Sequence, residues 1–459
     1  MTDICTSAGK RSRSSNYKLF FSFVIPSILA FALSGVYAIV DGFFVGNSVG
    51  DIGISTINVA YPIIALILAV GTGIGMGGAV YFSIFQAEGK PKEAGEFVAG
   101  TLWLLLAASI VMTALVLLLA TPLLKLLGAQ GELLTLGQDY IYIMALGSVL
   151  QIFGTGLIPL IRNNGGAIFA MITMCSGFLT NIILDYLFVW VFHLGVSGAA
   201  WATIIGEGVA MAGGVGYLLY KKQMHFAISR EAMKRVTKSI VRIGLAPFGL
   251  ALTPNFSLIL INRFSASYGG EPAIAVYACV SYILTIVYLV LQGVGDGIQP
   301  LMSQFYGAKK EKDLRQANAF AYGFALLLSF LSIVLLYVFR GNIGAIFGAS
   351  AAVTQEVAET LLIFLIAIPF IAVNRVTTAS FYATEKSTFA YMLTYIEPVA
   401  MLVFMLILPP LFGGQIMIWW SATCARIVSA VLAVILKWYV KKNNNLPEYF
   451  GFISSPKMV

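Results

Sequence analysis

The stretch LFFSFVIPSILAFALSGVYAIVDGFFVG, residues 19–46, decides the fold of this chain. It is almost entirely apolar, and about 20 such residues in a helix are enough to cross a bilayer. Two residues interrupt it, Pro26 in its first third and Asp41 in its last third. A carboxylate within the hydrocarbon costs at least ~2.5–3.5 kcal/mol even on the mildest scale. Asp41 must therefore be paired, hydrated or used by the protein.

The composition of the whole chain extends this conclusion. The 459 residues are 59% hydrophobic and only 10% charged, whereas soluble proteins contain about 25% charged residues. The apolar runs have the length of helices, and the sequence lacks the alternating pattern of an outer-membrane barrel. We therefore predict an all-α polytopic membrane protein whose surroundings are membrane lipid.

The apolar runs predict twelve transmembrane helices. Two of the predicted spans are longer than the hydrocarbon is thick, so we expect them to tilt or to project into the cytoplasm. The spans cover approximately 18–45, 53–86, 93–119, 133–160, 164–191, 195–221, 239–266, 273–306, 312–339, 352–380, 387–411 and 414–440.

The distribution of basic residues orients these spans. Of the 28 Lys and Arg, only Lys125 and Arg340 fall in loops opposite the N-terminus, and Arg263, Arg375 and Arg426 fall within spans. Positive residues mark the cytoplasmic side, so both termini are predicted to be cytoplasmic in a bacterial plasma membrane. The same rule explains the net charge of +8 without a nucleic-acid partner.

Several function classes are disfavoured by missing motifs. The four cysteines have no CxxC spacing, and the two histidines fall in loops on opposite sides, so no resident metal site is predicted. No GxxxxGK[ST] motif is present, and uphill transport would need an ion gradient. We predict a protein that is not an enzyme, has no cofactor and needs no obligate protein partner.

The chain repeats itself: a position in the first half matches the position whose number is higher by 220 or 221. Each repeat holds six spans, so both have the same orientation and a pseudo-two-fold axis along the membrane normal. Equivalent pairs include Pro26 with Pro247, Gly73 with Gly293, Gly77 with Gly297, Ser83 with Ser303, and Thr203 with Thr423. The predicted domains are a tail (1–17), an N-lobe (18–221), a cytoplasmic linker (222–238), a C-lobe (239–442) and a second tail (443–459).

Two glycine runs, GTGIGMGG (71–78) and GVGDG (293–297), lie inside these apolar spans. No strand precedes either run, so a phosphate-binding loop is not indicated. Small residues within a span predict close helix packing or a local bend.

Five polar residues of the first repeat lie at one depth in the outer half of the membrane. Because a helix rises by about 1.5 Å per residue, the positions of these residues within their spans bring them into one layer. They are Asp41, Tyr140, Asn181, Asp185 and Thr203. Two carboxylates with an amide and a hydroxyl offer hard oxygen ligands, which suit a cation such as Na⁺ or a shared proton. Glu207, one helical turn from Thr203, either supports this cluster or pairs elsewhere.

The second repeat has not kept the acids. Asn262 stands at the position of Asp41, Met401 at that of Asn181 and Met405 at that of Asp185. This asymmetry favours a role for the N-lobe cluster beyond folding.

The C-lobe has buried charges of its own. Glu397 and Arg426 fall near mid-membrane on adjacent spans, which favours a structural ion pair over contact with a substrate. Asp296 and Arg375 fall toward the cytoplasmic ends of their spans, where hydrated gate residues are an equal alternative.

The chain resembles the multidrug and toxic compound extrusion (MATE) transporters over its whole length, in particular their MepA-like bacterial branch. The motifs that carry the resemblance are NIILD (181–185), GVSGAAWAT (195–203) and GDGIQPLMSQFYGAKK (295–310), with Pro26 and Asp41 in the first span. The resemblance implies export of cationic amphiphilic drugs and dyes in exchange for Na⁺, H⁺ or both.

The resemblance also implies roles for individual residues. Asp41, Asn181, Asp185 and Thr203 match the N-lobe cation site of the family, and Tyr140 matches a neighbouring hydrogen-bonding tyrosine. Pro26 matches the proline associated with bending of the first span.

One stretch departs from some relatives. LILINRFSASYGG (258–270) has Asn262 and Arg263 where those relatives carry an acid. Ion coupling through the N-lobe is therefore favoured.

The resulting hypothesis is an ion-coupled antiporter. Weak candidates for the wall of a large apolar drug cavity are Ser34, Tyr37 and Met174. The first alternative is a flippase for lipid-linked precursors or polysaccharides, which would favour a more cationic cavity. A major-facilitator transporter is a second alternative, although its GxxxDRxGRR-type loop is missing here. A channel or receptor is a more distant one.

Overall fold

The computed structural model of the protein describes residues 13–347 and 349–442. Residues 1–12 of the predicted N-terminal tail and all of the predicted C-terminal tail, 443–459, lie outside this part of the chain. Within it the structure is helical and contains no strand. The helices are α1 Arg13–Val49, α2 Asp51–Ala87, α3 Pro91–Leu126, α4 Gly131–Leu146, α5 Ser148–Asn163, α6 Ala167–Asp185, a π-helix Tyr186–Val191, α7 Gly195–Tyr220, α8 Arg230–Tyr268, α9 Gly270–Gly307, α10 Glu311–Ile346, α11 Ala351–Ala383, α12 Ser387–Phe412 and α13 Ile416–Lys442.

Eleven of the described helices are long and apolar enough to cross a membrane, and α4 with α5 makes a twelfth span if the bent pair is counted as one. The prediction of a single helix over 133–160 is wrong, because α4 and α5 meet at an angle of 57°. Gly147 stands at the break, and a Cβ there would lie 2.3 Å from Ile204 Cγ2.

Polar side chains satisfy the carbonyls that the break releases. Ser148 Oγ donates to the Ala145 carbonyl at 2.6 Å, and Gln151 Nε2 donates to the Met144 carbonyl at 2.7 Å. A broken helix is tolerated within a membrane protein when neighbouring groups make up for the lost backbone hydrogen bonds in this way.

The chain forms two compact units. The first contains residues up to 255 together with 292–320, and the second contains 256–291 with 321 onward. The first unit therefore includes α1–α7, the first part of α8 and the second part of α9. Its core is lined by fully buried apolar side chains, among them Ile67, Leu102, Leu105, Ile141 and Met144.

The glycine runs bring helices of the first unit into close contact, as the sequence predicts. A Cβ on Gly77 of α2 would lie 2.3 Å from the Ile240 carbonyl of α8. A Cβ on Gly297 of α9 would lie 2.8 Å from Val24 Cα of α1. Backbone and side-chain atoms occupy the space that any other residue would need, so these positions require glycine.

The second unit packs α11, α12 and α13 around buried aromatic rings. Tyr277 of α9 stacks on Trp419 of α13 with ring centroids 5.7 Å apart, and Phe364 of α11 lies 5.9 Å from Trp419. Near the other end of α13, Lys437 Nζ donates to the Tyr322 hydroxyl at 2.9 Å.

Candidate cation site

Asp41 and Tyr37 present their side chains from one face of α1, because residues four apart on a helix lie one above the other. The helix continues through Pro26, which is buried, and ends at Val49. The Tyr37 ring stacks on Phe178 of α6 with centroids 5.2 Å apart. This ring contact joins the outer part of α1 to α6.

Facing glycines bring α6 and α7 close enough for their polar side chains to meet. A Cβ on Gly177 would lie 2.9 Å from the Gly206 carbonyl, and a Cβ on Gly206 would lie 3.0 Å from Asn181 Cβ. The close approach allows Asn181 Nδ2 to donate to Thr203 Oγ1 at 3.3 Å. Thr203 donates in turn to the Ala199 carbonyl at 2.9 Å.

Asp185 is the last residue of α6 and is fully buried. The chain continues directly into the π-helix Tyr186–Val191, an irregularity that often accompanies functional sites. The carboxyl groups of Asp185 and Asp41 face each other closely enough to share a hydrogen bond. Such a bond needs a proton on one of the two acids.

The oxygens at this point lack donors. Both oxygens of Asp185, Asp41 Oδ1 and Asn181 Oδ1 are buried and accept no hydrogen bond from the described residues. The Asn181 amide nitrogen is already used by Thr203, which leaves its oxygen free to act as a ligand. Buried acceptors without partners are costly, and a bound cation or proton removes that cost.

Two tyrosines complete the site. Tyr140 of α4 is buried and lies in the electrostatic field of both Asp41 and Asp185. The Tyr37 hydroxyl is hydrogen-bonded to Thr203 and neighbours both acids and Tyr140. The sequence analysis assigned Tyr37 to a drug cavity and missed this position, although its spacing of four residues from Asp41 was the available signal.

The ligands available here are oxygens only. The described residues contain no group of three or more His, Cys, Asp or Glu side chains that could hold a metal ion. Two carboxylates, one amide oxygen and one hydroxyl form instead a small hard-oxygen set. Its chemistry fits a monovalent alkali cation or a proton.

Three other candidate residues of the first unit surround this site without the same convergence. Ser34 is half-buried and donates to the Phe31 carbonyl at 2.7 Å. Met174 is half-buried and packs on the cluster formed by Ile158, Ile161, Ala170 and Tyr217. Glu207 lies against Gly154 of α5, where a Cβ would come within 2.5 Å of Glu207 Oε2.

The equivalent positions of the second repeat are packed and apolar. Met401 and Met405 are fully buried, and Thr423 Oγ1 donates to the Ile363 carbonyl at 3.1 Å. Asn262 is half-buried. The acids of the first repeat thus have no counterpart in side-chain chemistry here.

The charges near the middle of the second unit are paired. Arg426 Nε lies 3.3 Å from Glu397 Oε1, and the Arg426 side chain is only 4% exposed. The guanidinium also lies 5.0 Å from the centroid of the Tyr288 ring.

The expectation of hydrated gate residues is wrong for Asp296. Its side chain is 6% exposed and lies 3.6 Å from the equally buried Arg162 of α5. The reason is that the end of α5 packs on α9 at this point and excludes water. Arg375, its companion in that expectation, is half-buried in α11.

Comparison with known proteins gives consistent matches across the chain. The multidrug export protein MepA of Staphylococcus saprophyticus is 24% identical over 94% of this chain and 95% of its own length. MepA of Staphylococcus aureus strain MRSA252 is also 24% identical, with the same coverage of both chains.

Solved structures share the fold. An outward-facing MATE transporter of the MOP superfamily matches with a TM-score of 0.86 and 21% identity, covering 94% of this chain and 97% of its own. A MOP superfamily transporter from Pyrococcus furiosus matches with a TM-score of 0.87, also at 21% identity and with the same coverage. The predicted fold class, an all-helical membrane protein built as two six-helix lobes, is confirmed.

A family model described as MatE matches residues 26–187 and 250–407, which together make up more than half of the chain. The family resemblance drawn from the sequence motifs is confirmed by this match and by the MepA relatives. This chain therefore belongs to the MatE family of multidrug and toxic compound extrusion (MATE) transporters.

Proposed function

We propose that the protein is a secondary active multidrug efflux antiporter that exports cationic or lipophilic organic compounds in exchange for Na⁺, H⁺ or both. The observation that carries the proposal is the facing pair of buried acids, Asp41 and Asp185, whose oxygens lack donors among the described residues. The names of the MepA relatives, multidrug export proteins, support the choice of substrate class. The proposed location is a bacterial plasma membrane, with both termini cytoplasmic.

The first step of the proposed cycle is neutralisation of the acid pair. A proton or Na⁺ entering from outside binds between Asp41 and Asp185, with Asn181 and Thr203 as further oxygen ligands. Like charges at one buried site repel, so the occupied site favours a tighter arrangement of α1 and α6 than the empty site. The cation therefore shifts the protein toward the state in which α1 has moved.

The second step is bending of α1. Pro26 has no N–H to donate to the carbonyl four residues earlier, and this missing bond makes a helix easier to bend at that point. Movement of the outer part of α1 toward α6 reduces the space for a drug next to Ser34, Tyr37 and Met174. Drug and cation need not touch, because each only has to stabilise a different state.

The third step returns the site to the cytoplasm. We propose that the domains predicted from the repeat, an N-lobe over 18–221 and a C-lobe over 239–442 joined by 222–238, rock against each other. The cation is then released to the cytoplasm. The cycle involves no covalent chemistry, so we propose neither an enzymatic activity nor a cofactor.

The test uses everted membrane vesicles containing the purified full chain and ethidium as the dye. A Na⁺ gradient and a pH gradient are imposed one at a time, and dye movement is followed by fluorescence. We expect at least one gradient to drive transport, and Asp41→Asn to reduce the rate at least tenfold. Asn262→Ala, the equivalent position in the second repeat, is the matched control and is expected to retain transport.

Normal transport by Asp41→Asn at normal abundance would contradict the proposed coupling site. Dye flux that needs no gradient would instead favour a channel. Absence of dye transport combined with translocation of a fluorescent lipid-linked phosphate would favour the flippase alternative.

A further inference from the structure

A buried polar network joins α2 and α5 of the first repeat to α9 of the second. Asn163 Nδ2 donates to Gln299 Oε1 at 2.8 Å, and Ser83 Oγ donates to Asn163 Oδ1 at 2.7 Å. Gln299 Nε2 donates to Ser303 Oγ at 2.9 Å. All four side chains are buried. The two repeats are thus connected by hydrogen bonds within the first compact unit.

An ion pair lies directly beside this network. Arg162 Nη2 is 3.6 Å from Asp296 Oδ2, a separation too long for a good hydrogen bond. Asp296 Oδ1 accepts a hydrogen bond from Gln292 Nε2 at 2.7 Å, whereas Arg162 Nη1 is buried and has no hydrogen-bond partner among the described residues. The guanidinium is therefore only partly satisfied where it lies.

The ion pair occurs once in the chain although the scaffold occurs twice. At the equivalent positions of the other repeat, Tyr382 takes the place of Arg162 and Met76 takes the place of Asp296, and both are buried. The second copy of this scaffold therefore folds without charges at these positions. A role limited to folding does not account for the pair.

The same face of α9 also contacts α1 around Pro26. A Cβ on Gly293 would lie 2.8 Å from Ile28 Cα, and a Cβ on Gly297 would lie 2.8 Å from Val24 Cα. These two contacts lie on either side of the proline. Any separation of α9 from the first repeat at Asp296 therefore also releases α1 where it is expected to bend.

We propose that Arg162, Asn163, Asp296 and Gln299 form a cytoplasmic latch, a contact between the repeats that is closed in this structure and must open for release to the cytoplasm. The positive-inside assignment places the α5–α6 loop, next to Arg162, on the cytoplasmic side. This inference rests on the proposed transport function, but its readout does not require a drug or a coupling ion.

The polar character of the latch suits a contact that opens and closes. A buried ion pair gains little over two separately hydrated charges, because each charge gives up its water on burial. Water entering an open latch would satisfy Arg162 Nη1, to which the described residues offer no partner in the closed state. An apolar contact of the same size would lose its burial on opening and gain nothing in return.

The first test measures access to the contact between α1 and α9. Ser27 of α1 is buried, and its Cβ is 3.1 Å from the position of a Cβ on Gly297. A Ser27→Cys reporter, in a chain whose four native cysteines are replaced, is labelled in everted vesicles with a membrane-impermeant maleimide. We expect Asp296→Asn to raise the labelling rate at least fivefold, because Arg162 then lacks its counter-charge in the closed state.

A matched control separates this effect from general loosening. Glu96 of α3 pairs with Arg235 of α8 in the same unit but outside the latch. Glu96→Gln is therefore expected to leave the labelling rate unchanged. An equal increase with Glu96→Gln, or no increase with Asp296→Asn at normal abundance, would overturn the latch.

A second test does not depend on removing a charge. The variant Asn163→Cys with Gln299→Cys is treated with a short bismaleimide that links α5 to α9. We expect linking to reduce ethidium efflux at least tenfold and to prevent labelling of the reporter, whereas the unlinked variant transports. Undiminished efflux by the linked protein would overturn the latch, while loss of the proposed ion coupling alone would leave both latch readouts intact.

Discussion

Asp41 of α1 and Asp185 at the end of α6 face each other within hydrogen-bonding reach. Neither side chain has a proton to donate when both are ionised, and the described residues offer no donor to either oxygen of Asp185. The pair is therefore an incomplete site that a proton or Na⁺ completes. This relationship links the stability of the protein to its coupling ion.

The first prediction concerns that link. Asp185→Asn places an amide next to Asp41, removes the repulsion between the two acids and supplies a donor. We expect the variant to be more stable than the wild type by about 1–3 kcal/mol in Na⁺-free buffer at pH 8, the scale of a buried polar group that gains its partner. Thermal unfolding in detergent measures the difference.

The wild type is expected to gain stability as Na⁺ is added or as the pH is lowered from 8 to 6, because either cation neutralises the pair. The variant is expected to show little of this dependence. Identical Na⁺ and pH profiles for the two proteins would contradict a cation site at Asp41 and Asp185.

Tyr37 provides a more conservative change at the same site. Tyr37→Phe keeps the ring that stacks on Phe178 but removes the hydroxyl that is hydrogen-bonded to Thr203. Loss of one such hydrogen bond is worth about 0.5–1.5 kcal/mol, so we expect coupled efflux to fall roughly three- to tenfold at unchanged abundance. Ser34→Ala is the control, since its hydroxyl bonds to its own helix. Equal effects of both variants would argue against a site role for Tyr37.

Pro26 and Pro247 form a matched pair for testing the hinge. Each lies inside a helix at an equivalent position of the repeat. Alanine restores the helical N–H and removes a penalty of about 3 kcal/mol for proline in a helix interior. We expect Pro26→Ala to retain drug binding and to lose most transport.

Pro247→Ala should affect transport less, because its repeat lacks the acid pair. Binding of ethidium by fluorescence polarisation, compared with efflux, separates the two steps. If both alanine variants reduce transport equally, bending of α1 has no special part in coupling.

The pair of Arg426 and Glu397 permits a test of stability. Arg426→Met leaves a mostly buried carboxylate without its partner, which typically costs about 3–5 kcal/mol. We therefore expect a marked loss of folded protein in the single variant. Adding Glu397→Met removes the remaining charge and is expected to recover most of the loss, as seen by size-exclusion profiles and thermal unfolding. A double variant as unstable as the single one would show that the residues act independently.

Lys386, in the turn between α11 and α12, offers a pH-dependent prediction. Burial lowers the pKa of its ammonium group, because the charged form loses hydration. The unfolded chain then binds more protons than the folded chain between that lowered pKa and about 10.4, so stability rises with pH in this window. We expect Lys386→Met to flatten the rise, with a difference of about 1–3 °C in the unfolding temperature between pH 8 and 10. A parallel pH profile for the variant would exclude this contribution.

The sequence by itself determined the fold class and much of the proposed site. Apolar runs of helix length, a repeat offset of 220 or 221 and glycines within the spans are one-dimensional features. Depth in the membrane is also one-dimensional, because each helical residue advances the chain by about 1.5 Å along the helix axis. Counting residues was therefore enough to bring Asp41, Asn181, Asp185 and Thr203 to one level.

Only the tertiary structure decided which side chains meet at a given level. Rotation of each helix about its axis and the choice of packing partner depend on close contacts between distant segments, such as Gly177 with Gly206. These contacts placed Tyr37 beside the acids rather than in a drug cavity, and they buried Asp296 against Arg162 rather than in water. The break at Gly147 depends in the same way on packing against Ile204. Position along each helix was thus readable from the chain, whereas pairing between helices required the folded protein.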